Sequence, residues 1–246
     1  MPRRRERVEI SYQLIFTSPF HCGTGMPAGL SHRSVLRDEE GFLVVPGSSI
    51  KGAVRERCED VARRLGLAVD SPHQPQIRDA FGPPASPIPA LFGSHGQPGT
   101  LFFDDAMLTK EWREFFHPRN QPRRVDHYRR GQIMERTRVS LSRRTGAARS
   151  DALFTSEYGI PGLAFDGRIY GIIEDRLIDD ERTFALSLLA AGLLAVDCLG
   201  ADRSTGAGRC TISRLSVLAD GHLQDLAKLL EGLEVLDLYP TGGQDE

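Results

Sequence analysis

The sequence predicts an α+β domain in which helices cover a sheet, and three observations predict it. Residues 8–16 alternate apolar Val8, Ile10, Tyr12, Leu14 and Phe16 with Glu9, Ser11 and Gln13, as a strand with one buried face requires. Ile50, Val54, Cys58, Val61 and Leu65 recur at spacings of three and four, the signature of a helix with one apolar side. A leucine- and alanine-rich run over 181–197 then precedes a further strand pattern at 212–218. The order of strand, loop, helix, strands, helix, glycine-rich turn and strand fits an α+β sheet covered by helices.

Each element has a local reason. After the first strand, Pro19, Gly23, Gly25, Pro27 and Gly29 force an irregular loop over 18–30. His21, His32 and Arg33 lie in or just beyond it, where they face a ligand or serve the structure. Residues 34–36 and 41–45 read as short strands around an Arg37-Asp38-Glu39-Glu40 turn. Ser48 and Ser49 are expected to cap the helix that follows, with Lys51 and Arg55 near its first turn. Cations there oppose the helix dipole, so they call for an anionic partner, an acidic neighbour or simple tolerance.

Prolines at 72, 75, 83, 84, 87, 89 and 98 leave little room for long elements between 66 and 99, which reads as an insertion. Residues 100–108 resume strand character, with Asp104 and Asp105 suited to a turn or strand edge. Trp112, Phe115 and Phe116 form an aromatic group. A strand over 132–141 leads into an arginine-rich turn, Leu153, Phe154 and Tyr158 follow, and Ile160-Pro161-Gly162 begins another turn. A strand at 168–174 precedes the apolar helix, capped by Asp179 or Asp180 and buried on most sides. Leu223, Leu226, Ala227 and Leu230 mark a last amphipathic helix, and the tail from 239 frays.

The formal net charge of −2 conceals a division. From Arg113 to Arg149 there are eleven arginines, no lysine and three acids, whereas residues 150–246 carry seventeen acids against seven basic residues. Exclusive use of arginine favours planar, multidentate partners such as phosphate. Arg138, Arg143, Arg144 and Arg149 surround a turn with Ser140, Ser142 and Thr145, a set that positions a phosphate backbone without reading bases. Residues 199–212 combine Gly200, Gly206 and Gly208 with Arg203, Ser204 and Arg209. Those glycines allow positive φ and leave amide N–H groups open to an anion. Neither G-x-x-x-x-G-K-[ST] nor a helix-opening G-x-G-x-x-G is present, which excludes the common nucleotide fingerprints. Cys22, Cys58, Cys198 and Cys210 are isolated and read as core residues, with no zinc site expected. No apolar run of secretory or membrane-spanning kind occurs, so a cytoplasmic location without membrane contact is expected.

Four separated segments carry a family resemblance: Ser18-Pro-Phe-His-Cys-Gly-Thr-Gly25; Val45-Pro-Gly-Ser-Ser-Ile-Lys-Gly-Ala-Val-Arg55; Leu91-Phe-Gly93 with Phe103-Asp-Asp-Ala106; and Ser140-Leu-Ser-Arg-Arg-Thr-Gly-Ala-Ala148 with the 200–208 turn. In this order they resemble the Cas7-like backbone subunits of type III CRISPR effector complexes, within the RAMP superfamily. The resemblance implies a modified ferredoxin-like or RRM-like core in a single domain over 1–238. It would carry inserted loops, the insertion at 66–99, a basic thumb-like projection over about 113–165, and a flexible tail at 239–246.

The resemblance further implies guide-RNA binding at His21, Gly23, Gly25, Ser48, Ser49, Lys51, Arg55, Arg138, Arg143, Arg144, Arg149, Gly200, Arg203, Ser204, Gly206, Gly208 and Arg209. Implied partners are CRISPR guide RNA, complementary target RNA, further copies of the chain or related subunits, a Cas10-type large subunit, and Cas5-like and small subunits. RNA binding requires no cofactor, and Mg2+ enters only if target cleavage is retained. The position matching the family's cleavage aspartate is His32, the one catalytic candidate, which places that activity in question. Two alternatives remain open. A metal-independent guide-processing endoribonuclease would use His32 or His21, and a protein scaffold would bind no RNA in a salt-dependent manner.

Overall fold

The computed structural model describes residues 3–23, 33–67, 69, 87–94, 97–117, 130–176 and 183–234. Strand β1 (Arg3–Phe16) runs through the middle of the sheet. Its inward residues Val8, Ile10, Tyr12, Leu14 and Phe16 are all buried, as the alternation predicts. Next come a short strand β2 (Val44–Val45) and helix α1 (Gly47–Arg64). Between residues 66 and 99 the described parts include helix α2 (Ile88–Phe92) and two-residue strands β3 (Gly93–Ser94) and β4 (Gln97–Pro98). The strand expected over 100–108 is broken into β5 (Leu101–Phe103) and β6 (Ala106–Leu108). The break falls at Asp104-Asp105, where the Asp105 carboxylate leaves the sheet to accept the Gly47 N–H at 2.7 Å. Helix α3 (Lys110–Phe116) buries Phe116 and leaves Phe115 exposed.

Strands β7 (Ile133–Leu141) and β8 (Ala148–Gly159) pair with each other as a two-stranded ribbon separate from the main sheet, and isolated bridges join β8 to Phe20 and Arg33. The chain returns through β9 (Ala164–Arg176), helix α4 (Phe184–Leu194) and β10 (Cys210–Ala219), and closes with β11 (His222–Leu223) and helix α5 (Leu226–Glu231). The main sheet runs β11-β10-β1-β9-β6-β2, with β5 also paired to β9, and every pairing is antiparallel. With α1 following β1 and α4 linking β9 to β10, this is the 4-1-3-2 arrangement of a ferredoxin-like β-α-β-β-α-β unit. The modified ferredoxin-like core is therefore present, with the ribbon inserted before its third strand.

Helices α1 and α4 lie together over the apolar face of β1 and β9. Gly192 permits their close approach, since a Cβ there would sit 2.2 Å from Cys58 Sγ. Phe16 stacks on Phe20 at 3.7 Å, and Phe165 meets both rings edge-on. Cys22, Cys58 and Cys210 are buried, and all four cysteines are free. Burial pushes the Cys22 thiol up to about 12, which keeps it inert.

Some sequence expectations give way. Ser48 and Ser49 lie inside the first turn of α1: the N-cap is Pro46, which has no capping side chain, and the distant Asp105 carboxylate takes the first N–H instead. Helix α4 begins after Thr183; Asp179 and Asp180 fall outside the described residues. Leu223 is exposed in β11, and Asp225 caps α5, whose buried residue is Leu229. The 239–246 tail also lies outside the described residues. Among the described residues, no helix is long and apolar enough to cross a membrane.

Candidate nucleic-acid interface

A groove of about 650 Å³ opens where the amino end of α1, the loop after β1 and the turn before β10 converge. Its wall on α1 is formed by Ser48, Ser49, Gly52 and Glu56, which helical periodicity places on one side. Asp105 accepts the Gly47 N–H and the Pro46 carbonyl accepts those of Ser49 and Ile50, so what this wall offers an outside anion is chiefly the Ser48 and Ser49 hydroxyls. Gly47 lets the helix start close against the sheet: a Cβ there would lie 2.1 Å from the Phe103 carbonyl oxygen.

The opposite wall is the 198–203 segment. Gly200 has φ +94°, and a Cβ on it would approach the His21 carbonyl oxygen to 2.6 Å. Gly208, at φ +80°, packs equally close on Leu199, so both positions demand glycine for conformation and for space. Gly206 has φ +86° but open surroundings. The backbone is stitched by Ala201 N–H to the His21 carbonyl at 2.9 Å and Leu199 N–H to the Gly208 carbonyl at 2.8 Å.

The ribbon joins the groove through a polar cluster. Phe20 and Gly159 exchange backbone hydrogen bonds, and Glu157 N–H donates to the Arg33 carbonyl at 2.9 Å. His21 is 5% exposed, and its Nδ1 donates to the Glu157 carbonyl at 2.7 Å. A carbonyl can only accept, so Nδ1 carries a proton. Asp202, in the left-handed region at φ +61°, is the hub. It accepts the Tyr158 hydroxyl, pairs with Arg33 at 3.1 Å and lies 3.5 Å from Arg138. Burial tends to raise the Asp202 pKa, but the Tyr158 hydroxyl, Arg33 and Arg138 outweigh it and hold the carboxyl below its ordinary range. Arg136 and Arg138 also sit over the Tyr158 ring at 5.1 and 5.7 Å. The ribbon therefore rises from the groove edge on a fixed base, with Arg143 and Arg144 exposed at its turn.

The predicted site residues divide by placement. His21, Gly23, Ser48, Ser49, Gly200 and Arg203 line the groove. Arg203 also reaches Glu56 across it at 2.9 Å. Ser204 and Arg209 line an adjoining hollow that shares Cys198 and Arg203 with the groove. Arg55 is placed elsewhere: its guanidinium bonds Glu59 at 2.8 Å and the Gly93 carbonyl at 3.0 Å. An acidic neighbour thus accounts for it, and Lys51 lies four residues earlier on the same flank. Gly25 and His32 fall outside the described residues, and the Arg149 side chain is likewise not described. Sequence reasoning missed Asp202, Tyr158 and Glu56. A lone acid inside the Gly- and Arg-rich turn was the available signal for Asp202.

Among the described residues, no group of three or more His, Cys, Asp or Glu side chains converges. The Asp202 and Glu56 carboxylates are committed to arginines. These two arginine-bound carboxylates do not fit a magnesium ion.

The fold has known counterparts. A chain in the cryo-EM structure of type III-B Cmr-beta bound to cognate target RNA superposes with a TM-score of 0.55 at 12% identity, covering 83% of this chain and 96% of that one. The apo state of type III-B Cmr-beta gives a TM-score of 0.54 at 12% identity over the same shares. No curated protein sequence matches significantly. The family model of the RAMP superfamily matches residues 13–211, most of the chain, and on that match this protein belongs to the RAMP superfamily.

Proposed function

We propose that the protein is a Cas7-like, RNA-binding backbone subunit of a type III CRISPR effector complex, and that its groove holds the sugar-phosphate backbone of the guide RNA. The observation that carries this reading is the convergence in one groove of Ser48 and Ser49 at the amino end of α1, the Gly200 turn, Arg33 and Arg203, with the arginine-tipped ribbon rising from its edge. Serine hydroxyls suit phosphate oxygens, and the N–H groups that Arg33 and Arg203 keep beyond their bonds to Asp202 and Glu56 add further contacts. These groups read the backbone and leave the bases free to pair with a target. The likeness to type III-B Cmr-beta bound to cognate target RNA supports an RNA partner.

In this reading the ribbon is the thumb, crossing the guide and its target. Further copies of the chain, a Cas10-type large subunit, and Cas5-like and small subunits complete the assembly. The role assigned is binding and positioning of target RNA; His32, the catalytic candidate, lies outside the described residues.

The test is to purify the chain with its retained nucleic acid, sequence the RNA, and titrate binding of a guide-length RNA across salt concentrations. About four to six phosphate contacts on a single strand predict a drop of about 50- to 300-fold between 50 and 200 mM salt. Absence of RNA together with binding indifferent to salt would overturn the reading.

A further inference from the structure

The face of the main sheet turned away from α1 and α4 carries no covering element among the described residues, and it is not uniformly polar. Phe102 on β5 and Tyr170 on β9 are register partners, so their side chains project from the same side. Their rings stack at 5.5 Å with planes 21° apart, yet Phe102 is 59% exposed and Tyr170 37% exposed. Inward neighbours Leu101 and Ile169 are buried, so the alternation places these aromatics outside the core.

Charge surrounds the pair in an ordered way. Arg168 sits over the Tyr170 ring at 5.1 Å and bonds Glu9 at 3.0 Å, which stiffens the stack and neutralises the acid beside it. Arg7 is the register partner of Ile172, and Arg5 that of Glu174. Together with Phe102 and Tyr170 these residues line a shallow hollow of about 450 Å³. Two arginines against one glutamate give its rim a cationic bias.

We propose that this open face is a second contact for single-stranded RNA, in which Phe102 and Tyr170 stack a base while Arg5 and Arg7 hold flanking phosphates. Preordered aromatic rings with nearby arginines are the chemistry that single-stranded nucleic acid recruits, because every base offers a π-face. A protein partner is less well matched. Ile172 and Met107 are also exposed on this face, but Gln13 bonded to Asp166 and Ser11 opposite Arg168 interrupt them, so the apolar area is four side chains broken by polar ones. That is small for a stable protein interface and sufficient for a single base. The contact lies on the opposite side of the sheet from the groove and does not rest on the groove's assignment.

The experiment uses the full chain and an oligouridine RNA of about twelve nucleotides carrying one 5-iodouridine or one 2-aminopurine, a length within the usual range of single-strand sites. Ultraviolet crosslinking is expected to join 5-iodouridine to residues 101–103 or 168–174. Fluorescence of 2-aminopurine is expected to be quenched on binding. The Phe102→Leu/Tyr170→Leu variant keeps apolar bulk and removes stacking. It should lose the crosslink and the quench and weaken this contact about tenfold or more, with circular dichroism unchanged. Tyrosine at 102 alone (F102Y) should retain all of them. A groove variant, Gly52→Glu, should leave the sheet-face crosslink in place. The proposal is overturned if no crosslink maps to these segments and the double variant binds as tightly as the parent. It is equally overturned if the parent self-associates through this face and the double variant becomes monomeric with unaltered RNA binding.

Discussion

Alanine at Gly200 should unsettle the protein more than alanine at Gly206, although both glycines have φ near +90°. At Gly206 nothing lies within 4 Å of an added Cβ. Its cost is then the conformational term alone, about 1–2 kcal/mol for an L-residue in the left-handed region. At Gly200 the same term applies, and the new carbon also meets the His21 carbonyl oxygen at 2.6 Å and Cys22 Sγ at 3.3 Å. The carbonyl belongs to backbone tied to Ala201, so the clash has no flexible side chain to absorb it. Overpacking of this kind adds about 1–3 kcal/mol, for a total of about 2–5 kcal/mol. Urea unfolding followed by circular dichroism measures the difference. With a slope of about 3 kcal/mol per molar, Gly200→Ala should unfold about 0.3–1 M earlier than Gly206→Ala. Because Gly200 shapes the groove wall, its variant should also bind RNA more weakly at denaturant-free equilibrium. Equal midpoints for the two variants would refute the close-approach argument.

Other outcomes follow from the same contacts. The depressed pKa of Asp202 means that its stabilising contribution is present above the unfolded carboxylate value, about 3.9, and is lost as pH falls through the lower folded value. The stability gap between the parent and Asp202→Asn should therefore be largest near neutrality and shrink in acid, and a gap independent of pH would contradict the assignment. Removing Arg143 and Arg144 together should leave the unfolding midpoint unchanged, since both are exposed at the ribbon turn. It should lower RNA affinity and reduce the slope of log affinity against log salt by about 2, measured by fluorescence anisotropy.

The parts of the fold governed by local periodicity were legible in the sequence. The β1 alternation and the α1 spacing each report a buried face, and a one-sided sheet enforces both. The break at Asp104-Asp105 was not legible, because Asp105 leaves the strand to serve the amino end of α1, 58 residues earlier. The same long-range hydrogen bond removed the capping task expected of Ser48 and Ser49. Glycines and arginines pointed to the groove because their chemistry is intrinsic. Asp202 and Tyr158 were missed because their roles exist only once the ribbon docks on the turn, 44 residues away. For Arg55 the sequence left an anionic partner, an acidic neighbour or tolerance open, and Glu59 one helical turn on is such a neighbour.

The central claim, that RNA backbone lies in the groove against α1, is tested most directly at Gly52. This residue lines the groove, and an added Cβ meets nothing within 4 Å. Alanine there should raise stability by up to about 1 kcal/mol, because glycine is a poor helix residue. Glutamate should fold equally well and place a negative charge where a phosphate is held. Fluorescence anisotropy with a guide-length RNA at fixed salt should then show near-parental affinity for Gly52→Ala and a loss of about tenfold or more, about 1.4 kcal/mol, for Gly52→Glu. Unchanged affinity in the folded Gly52→Glu protein would contradict the account.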